Sequence, residues 1–108
     1  MTYSDTMRGL VEAVNAEREK GGLPALTMDQ DLSESASNWA YHMWKTGRMV
    51  HDRLDGFNGE NIAWGQENVD EVMKSWMNSR GHRANILRAS FTKIGVGRCE
   101  NYWCQRFI

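Results

Sequence analysis

Apolar residues recur at helical spacing in three stretches of the chain, and each stretch predicts an amphipathic helix. The first helix spans about residues 5–20 and ends at Gly21-Gly22. The second follows a turn at Thr27 and ends at Thr46-Gly47, and the third follows Asn68 and ends at Ser79-Arg80-Gly81. Their apolar stripes are Met7, Leu10, Val11 and Val14; Leu32, Ala36, Trp39, Ala40 and Met43; and Val69, Val72, Met73, Trp76 and Met77.

The ends of these helices carry recognisable signals. Thr27 followed by Gln30 has the spacing of a capping box for the second helix. Asn68 caps the third, with Glu71 completing that cap, and Gly81 suits the left-handed conformation of a C-terminal stop. Arg18 lies off the apolar stripe of the first helix, so we assign it to a solvated face.

Alternating apolar residues predict strands in the C-terminal part of the chain. Residues 94–99 and 102–107 form a hairpin around Glu100-Asn101, and 61–64 adds a short third strand because a lone hairpin is only marginally stable. The sequence therefore predicts an α+β fold in which three main helices surround a small antiparallel sheet as an α-β-α sandwich. At 108 residues, 1–108 form a single domain with a core of its own.

Composition excludes some classes of function. Thirteen basic and fourteen acidic residues give a net charge of −1 without a basic run, which disfavours nucleic-acid binding. No apolar run approaches the roughly 20 residues of a membrane span, and the N-terminus lacks a signal-peptide pattern, so an export signal was either removed or never present. Five tryptophans and seven methionines are typical of an aromatic core with Met filling gaps, or of a lipid cavity.

The two cysteines lie on the predicted hairpin. A four-residue loop would place Cys99 opposite Cys104 and allow a disulfide, whereas a two-residue loop offsets the pair and makes bridging harder. For an exported protein we expect the bridge. A pair of reduced, half-buried thiols is the alternative.

Two histidines and one glutamate are candidates for a shared site. His51 lies in an irregular loop, and Glu60 and His82 each follow a glycine. Imidazoles are good ligands for zinc, and Glu60 could orient one ring by accepting its other N–H. Two histidines make only an open site, so any metal would be weakly held. The three side chains could equally form a hydrogen-bonded polar cluster that pins the loops to the third helix.

The order of these motifs resembles the CAP superfamily of cysteine-rich secretory, antigen 5 and pathogenesis-related proteins. The resemblance rests on His51, Gly59-Glu60-Asn61-Ile62, Trp76 followed by Ser79 and Gly81-His82-Arg83, Asn85-Ile86-Leu87, and Ile94-Gly95-Val96-Gly97. It implies a cleft tetrad of two histidines and two glutamates, which binds zinc or magnesium in some members. His51, Glu60 and His82 match three positions, and Ser79 occupies the position of the second glutamate, as in many short bacterial members.

The resemblance implies a secreted or periplasmic, non-catalytic domain. We expect a monomer that binds a small molecule or lipid at Glu60 and Ser79, with zinc or magnesium held weakly by His51 and His82. One alternative is sterol or fatty-acid binding. Another is weak hydrolysis or proteolysis, for which Ser79 and His82 would form a nucleophilic pair, although Gly-x-Ser-x-Gly and His-Glu-x-x-His are both missing.

Overall fold

The structure is a computed structural model that describes residues 3–53 and 56–108, so 1–2 and 54–55 of the predicted domain lie outside it. Four helices and four strands follow one another as α1 (Tyr3–Lys20), β1 (Thr27–Met28), α2 (Gln30–Thr46), β2 (Gly59–Trp64), α3 (Val69–Met77), α4 (Arg80–Ile86), β3 (Lys93–Cys99) and β4 (Tyr102–Phe107). Within the described ranges, no helix combines the length and the apolar character needed to cross a bilayer.

The strands form one sheet in the order β1-β3-β4-β2. β4 runs antiparallel to both β2 and β3, which confirms the predicted hairpin and the third strand beside it. β1 pairs in parallel with the start of β3, so the sheet is mixed and not purely antiparallel. The α+β class is confirmed, with a fourth helix added to the three that were predicted.

Helices cover both faces of the sheet. Because successive residues of a strand point to opposite faces, β4 contributes Trp103 and Phe107 to one side and Cys104 to the other. The first side packs against α1, α3 and α4 and forms the larger core. On the second side, Ile62 and Cys104 pack against Ala36, Ala40 and Met43 of α2. The α-β-α sandwich that the hydrophobic pattern predicts is therefore the observed architecture.

Two glycines of β3 allow α2 to lie directly on the sheet. A Cβ atom at Gly95 would overlap the backbone of Leu32 and Ser33, and one at Gly97 would overlap the backbone of Ser37. The absence of side chains at these positions lets helix and strand approach closely, as glycines in strands often do. This approach fixes α2 parallel to β3 and places its C-terminal end beside the β3-β4 turn.

The second helix begins with a different cap from the predicted one. Asp29 is the N-cap, and its carboxylate accepts a hydrogen bond of 2.8 Å from the backbone N–H of Leu32. Thr27 belongs to β1, where its backbone pairs with β3, so the predicted Thr27-Gln30 capping box is wrong. Aspartate is as good an N-cap residue as threonine. Because Thr27 is paired in β1, Asp29 is the residue that caps α2.

The predicted third helix is divided into two. α3 ends at Met77, and Ser79 has extended backbone angles and becomes the N-cap of α4. Gly81 therefore lies inside α4 and is not a left-handed stop. Because of this division, His82 belongs to the separate short helix α4.

Arg18 is buried, contrary to its assignment to a solvated face. Its guanidinium donates to the carbonyl oxygens of Pro24, Ile86 and Arg88 at 2.9 Å each. Burial lowers the pKa of Arg18. These bonds connect the end of α1 to the end of α4, whose C-terminal carbonyls attract a cation.

Candidate functional site

Glu60 is the centre of the candidate site. It lies at the start of β2, on the face covered by α2, and its side chain is only 4% exposed. Its Oε1 lies 2.8 Å from Nδ1 of His51 and accepts a second hydrogen bond of 3.2 Å from the backbone N–H of Asp52. The His51 loop is thus held onto the sheet by this carboxylate, as the sequence predicted for one of the two imidazoles.

The other oxygen of Glu60 is bound by Arg106, a residue that the sequence analysis missed. Arg106 is the cross-strand partner of Glu60, and its Nε donates to Oε2 at 3.0 Å. The same guanidinium pairs with Asp52 at 2.7 Å, donates to Ser35 at 3.2 Å and lies 4.3 Å from the ring of Phe57. One buried cation therefore connects β4, β2, α2 and the His51 loop.

These contacts determine what Glu60 can do chemically. Both of its oxygens accept hydrogen bonds from protein groups, and the charge of Arg106 balances that of the carboxylate. A carboxylate that is fully bonded in this way has no free lone pair directed at a ligand or a substrate proton. Glu60 is therefore a positioning residue for His51.

His51 presents its second nitrogen outward. The ring is 61% exposed, and only Nδ1 contacts Glu60. In a neutral His51 ring that donates from Nδ1 to this carboxylate, Nε2 keeps its lone pair and faces away from Glu60. In metal sites, a carboxylate that accepts the other ring N–H of a ligating histidine orients its imidazole.

His82 is held in a similar way by Ser79. Its Nδ1 lies 2.8 Å from Oγ of Ser79, and the Ser79 hydroxyl makes no capping bond to the backbone of α4. Burial lowers the pKa of His82, and the charge of His51 lowers it further. Both effects favour the neutral form of His82, the form in which a histidine binds a metal.

An amide network positions α4 against the edge of the sheet. Asn61 donates to the carbonyl of His82 and to Oε1 of Gln105, both at 3.1 Å. Asn85 donates to Oδ1 of Asn61 at 2.9 Å and to the carbonyl of Glu60 at 3.3 Å. Asn61 and Asn85 are therefore structural braces beneath the site, and Gln105 is a further member of the network that the sequence did not indicate.

The site spans the exposed edge of β2. Glu60 and Asn61 point to opposite faces of this strand, so His51 is attached on the α2 side and His82 on the α4 side. Across residues 3–53 and 56–108, no group of three or more His, Cys, Asp or Glu side chains is arranged to hold a metal ion. The described residues therefore offer a metal ion at this site no protein ligand beyond the two imidazoles.

The predicted disulfide is wrong. Cys99 and Cys104 are both free. The hairpin has a two-residue turn, so Cys99 pairs with Tyr102 while Cys104 pairs with Gly97. This register gives the offset that disfavours bridging. Burial beside Glu60 raises the pKa of the Cys104 thiol, which keeps it protonated against α2.

Comparison with known proteins identifies the family. The family model described as "CAP: Cysteine-rich secretory protein family" matches residues 11–107. The chain is 44% identical over 116 residues to the uncharacterized protein YkwD of Bacillus subtilis (strain 168), covering 92% of this chain and 45% of that protein. It therefore spans less than half the length of this relative.

Solved structures share the fold. An extracellular protein containing an SCP domain from Bacillus anthracis str. Ames superposes with a TM-score of 0.91 at 29% identity, covering 98% of this chain and 41% of that one. An outer surface protein from Borrelia burgdorferi gives 0.88 at 21% identity, covering 99% and 94%. The chain thus belongs to the CAP, or cysteine-rich secretory protein, family.

Proposed function

We propose that this chain is a non-catalytic ligand-binding domain whose two imidazoles, His51 and His82, receive the ligand. The observation that carries the proposal is that each ring has Nδ1 engaged by a protein side chain, Glu60 or Ser79, at 2.8 Å. Each ring is therefore oriented with Nε2 available, and these nitrogens belong to two segments that meet at one strand edge. Such orientation lowers the cost of binding because little side-chain freedom remains to be lost.

A divalent metal ion is one ligand that this pair would hold. Neutral imidazole nitrogens suit zinc, whereas magnesium prefers oxygen ligands. With two protein ligands, the ion would keep water or an external ligand in its remaining positions and would exchange readily. Zinc held by His51 and His82 would present an open coordination position to a further ligand.

Isothermal titration with zinc tests this proposal, and the chain supplies its own control. It contains three histidines, and His42 is exposed on α2, where its ring stacks on Trp39. We expect heat of binding from the wild type and from His42→Ala, and strongly reduced heat from His51→Ala and from His82→Ala. Equal heats from all four proteins, or none from the wild type, would reject the metal part.

We also place the protein outside the cytoplasm. Two matched structures are described as an extracellular protein and an outer surface protein, which supports this assignment by similarity. Fractionation of the native host, with the protein found in the medium or at the cell surface, tests the assignment, and a purely cytoplasmic protein contradicts it.

Fatty-acid or sterol binding is a second candidate, favoured by a groove between α1 and α2. The groove has a volume of about 640 Å³, and its apolar lining comes from Tyr3, Met7, Met28 and Val96. Displacement of a fluorescent fatty acid should therefore depend on this groove. We expect Met28→Glu to abolish binding and Trp64→Ala, at an exposed site outside the groove, to leave it unchanged. Equal binding by both variants excludes the groove.

Hydrolysis has weaker support, although Ser79 and His82 are in contact. The serine bonds to Nδ1, and no carboxylate contacts the ring from its other nitrogen in the hydrogen bonds described for this part of the chain. A nucleophilic serine needs its base to be oriented by a third group. We expect equal background rates from wild type and Ser79→Ala in a peptide and ester screen, and a loss in the variant would establish catalysis.

A further inference from the structure

Exposed apolar side chains concentrate at the C-terminal end of α2. Of the eight large hydrophobic residues that are exposed in the described ranges, four lie between positions 41 and 50: Tyr41, Trp44, Met49 and Val50. Their exposed fractions are 38–52%. Large exposed apolar patches on a folded domain commonly mark an interaction site, so this concentration requires a partner.

The exposed charges of the described residues from 39 to 53 are of one sign. Lys45, Arg48 and Arg53 are exposed cations. The only acid among these described residues is Asp52, whose carboxylate is buried and paired with Arg106. Because the whole chain carries a net charge of −1, the remainder of the chain is net negative. Residues 39–53 are therefore a basic segment in a slightly acidic chain.

The side chains form two neighbouring groups, one on α2 and one on the loop that follows it. Tyr41, Trp44 and Lys45 follow each other at the spacing of one helix face, and the rings of Tyr41 and Trp44 lie 5.8 Å apart. Arg48, Val50 and Arg53 then line a common cavity of about 530 Å³ with His51. We refer to Tyr41, Trp44, Lys45, Arg48, Met49, Val50 and Arg53 as the aromatic-basic surface.

Local hydrogen bonds hold this surface in place. Gly47 ends α2 in the left-handed conformation, and the backbone N–H of Arg48 donates to the carbonyl of Met43 at 3.1 Å. The indole N–H of Trp39 donates to the carbonyl of Val50 at 2.9 Å. The loop is thus fixed to the helix with Met49 and Val50 exposed between two arginines, so docking does not require the loop to be ordered first.

We propose that the aromatic-basic surface docks the protein onto the surface of an anionic lipid bilayer. Tryptophan and tyrosine are enriched at the level of lipid headgroups, and lysine and arginine beside them are attracted to anionic lipids. Met49 and Val50 enter the apolar boundary while Lys45, Arg48 and Arg53 contact phosphates. The negative remainder of the molecule is repelled by the same membrane, which orients the patch toward it.

Docking in this orientation places the His51 ring near the lipid surface, because His51 lines the same cavity as Arg48 and Arg53. The inference is independent of the metal proposal, since none of the seven residues of the aromatic-basic surface binds zinc in that account. Failure of one therefore does not imply failure of the other.

Co-sedimentation with vesicles tests the docking. The wild-type chain should sediment with vesicles of equal parts phosphatidylglycerol and phosphatidylcholine at low salt, and should remain in solution with phosphatidylcholine alone. Each cation near an anionic surface is worth about 1 kcal/mol, or roughly a fivefold change in partitioning. The variant Lys45→Gln/Arg48→Gln should therefore lose roughly 25-fold, and Trp44→Ala/Met49→Ala should also bind more weakly.

Two matched controls separate this surface from general charge and hydrophobicity. Lys74→Gln removes an exposed cation from α3, which lies on the opposite face of the sheet. Ile108→Ala removes an apolar side chain that is 40% exposed, close to the 38% of Val50, beside the start of β3. Lys74→Gln should change partitioning less than Lys45→Gln or Arg48→Gln alone, and Ile108→Ala should bind as the wild type does.

Several results would overturn the proposal. Absence of wild-type binding to anionic vesicles at low salt, or equal losses in the surface and control variants, would reject it. Binding to a soluble polyanion such as dextran sulfate but not to vesicles would assign the surface to a polymer. Concentration-dependent dimerisation abolished by Trp44→Ala/Met49→Ala, without vesicle binding, would assign it to a second copy of the chain.

Discussion

At the scale of single residues, Arg106 explains how the candidate site is built. The sequence identified His51 and Glu60 as neighbours, because a loop histidine and a strand glutamate are recognisable in themselves. Arg106 was not identified, since its pairing with Glu60 depends on the register of β2 against β4. These two strands are not joined by a turn, so their register is set by packing on both faces of the sheet, which a single sequence leaves open.

Removal of Arg106 should destabilise the fold strongly. Its side chain is 4% exposed, and Arg106→Ala would remove a cation from two carboxylates, those of Glu60 and Asp52, which are themselves only 4% and 7% exposed. Breaking a buried ion pair from one side costs about 3–5 kcal/mol. Urea denaturation should show this loss in the free energy of unfolding.

Arg83→Ala is the matched control. Arg83 is exposed, and the hydrogen bond described for its guanidinium, of 3.2 Å, goes to the carbonyl of Met77. Surface substitutions of this kind change stability by about 0.5 kcal/mol or less. Similar losses for the two arginines would show that Arg106 is not the anchor described here.

His82 should make stability depend on pH. Burial lowers its pKa in the folded state below the unfolded value of about 6.5, so the unfolded chain binds more protons near that pH. Stability from this group is therefore present above about pH 6.5 and is lost as the pH falls through the folded pKa. Thermal melts from neutral to mildly acidic pH should show a fall in Tm that is smaller in His82→Asn, and an identical fall would contradict the assignment.

At the scale of secondary structure, close packing between elements determined two features that the hydrophobic pattern does not predict. Periodicity located α1, α2, α3 and the three antiparallel strands. It missed the division at Ser79, because the Ser-x-Gly sequence is compatible with both the end of one helix and the start of another. It also missed β1, a two-residue strand that only the neighbouring edge of β3 stabilises.

Gly97→Ala should destabilise the contact between α2 and β3. The added methyl group would overlap the backbone of Ser37, which a side-chain rotation does not relieve. Overpacking of this kind costs about 1–3 kcal/mol. Circular-dichroism melts should show a lower Tm, by about 4–8 °C for each kcal/mol in a domain of this size.

Gly81→Ala provides the control for the same chemical change. Gly81 lies within α4, and a Cβ atom there meets no atom within 4 Å. Alanine favours a helix over glycine by about 0.5–1 kcal/mol, so Tm should stay constant or rise. A lower Tm for Gly81→Ala than for Gly97→Ala would contradict the packing of α2 on β3.

At the scale of the whole molecule, β2 connects the two faces of the sandwich. Its first residues hold the His51 loop through Glu60 on one face and α4 through Asn61 on the other. The site therefore lies at the β2 edge of the sheet, between the helical layer that contains α2 and the one that contains α4. A motif search finds its members separately, and the fold attaches the two segments that carry His51 and His82 to the same strand.

The central claim is that His51 and His82 act as one pair and that His42 does not take part. Nuclear magnetic resonance of the imidazole nitrogens during a zinc titration measures this directly, because each ring gives its own signals. The account predicts that the Nε2 signals of His51 and His82 shift together at the same zinc concentration while those of His42 stay constant. Independent shifts of His51 and His82, or an equal response from His42, would contradict it.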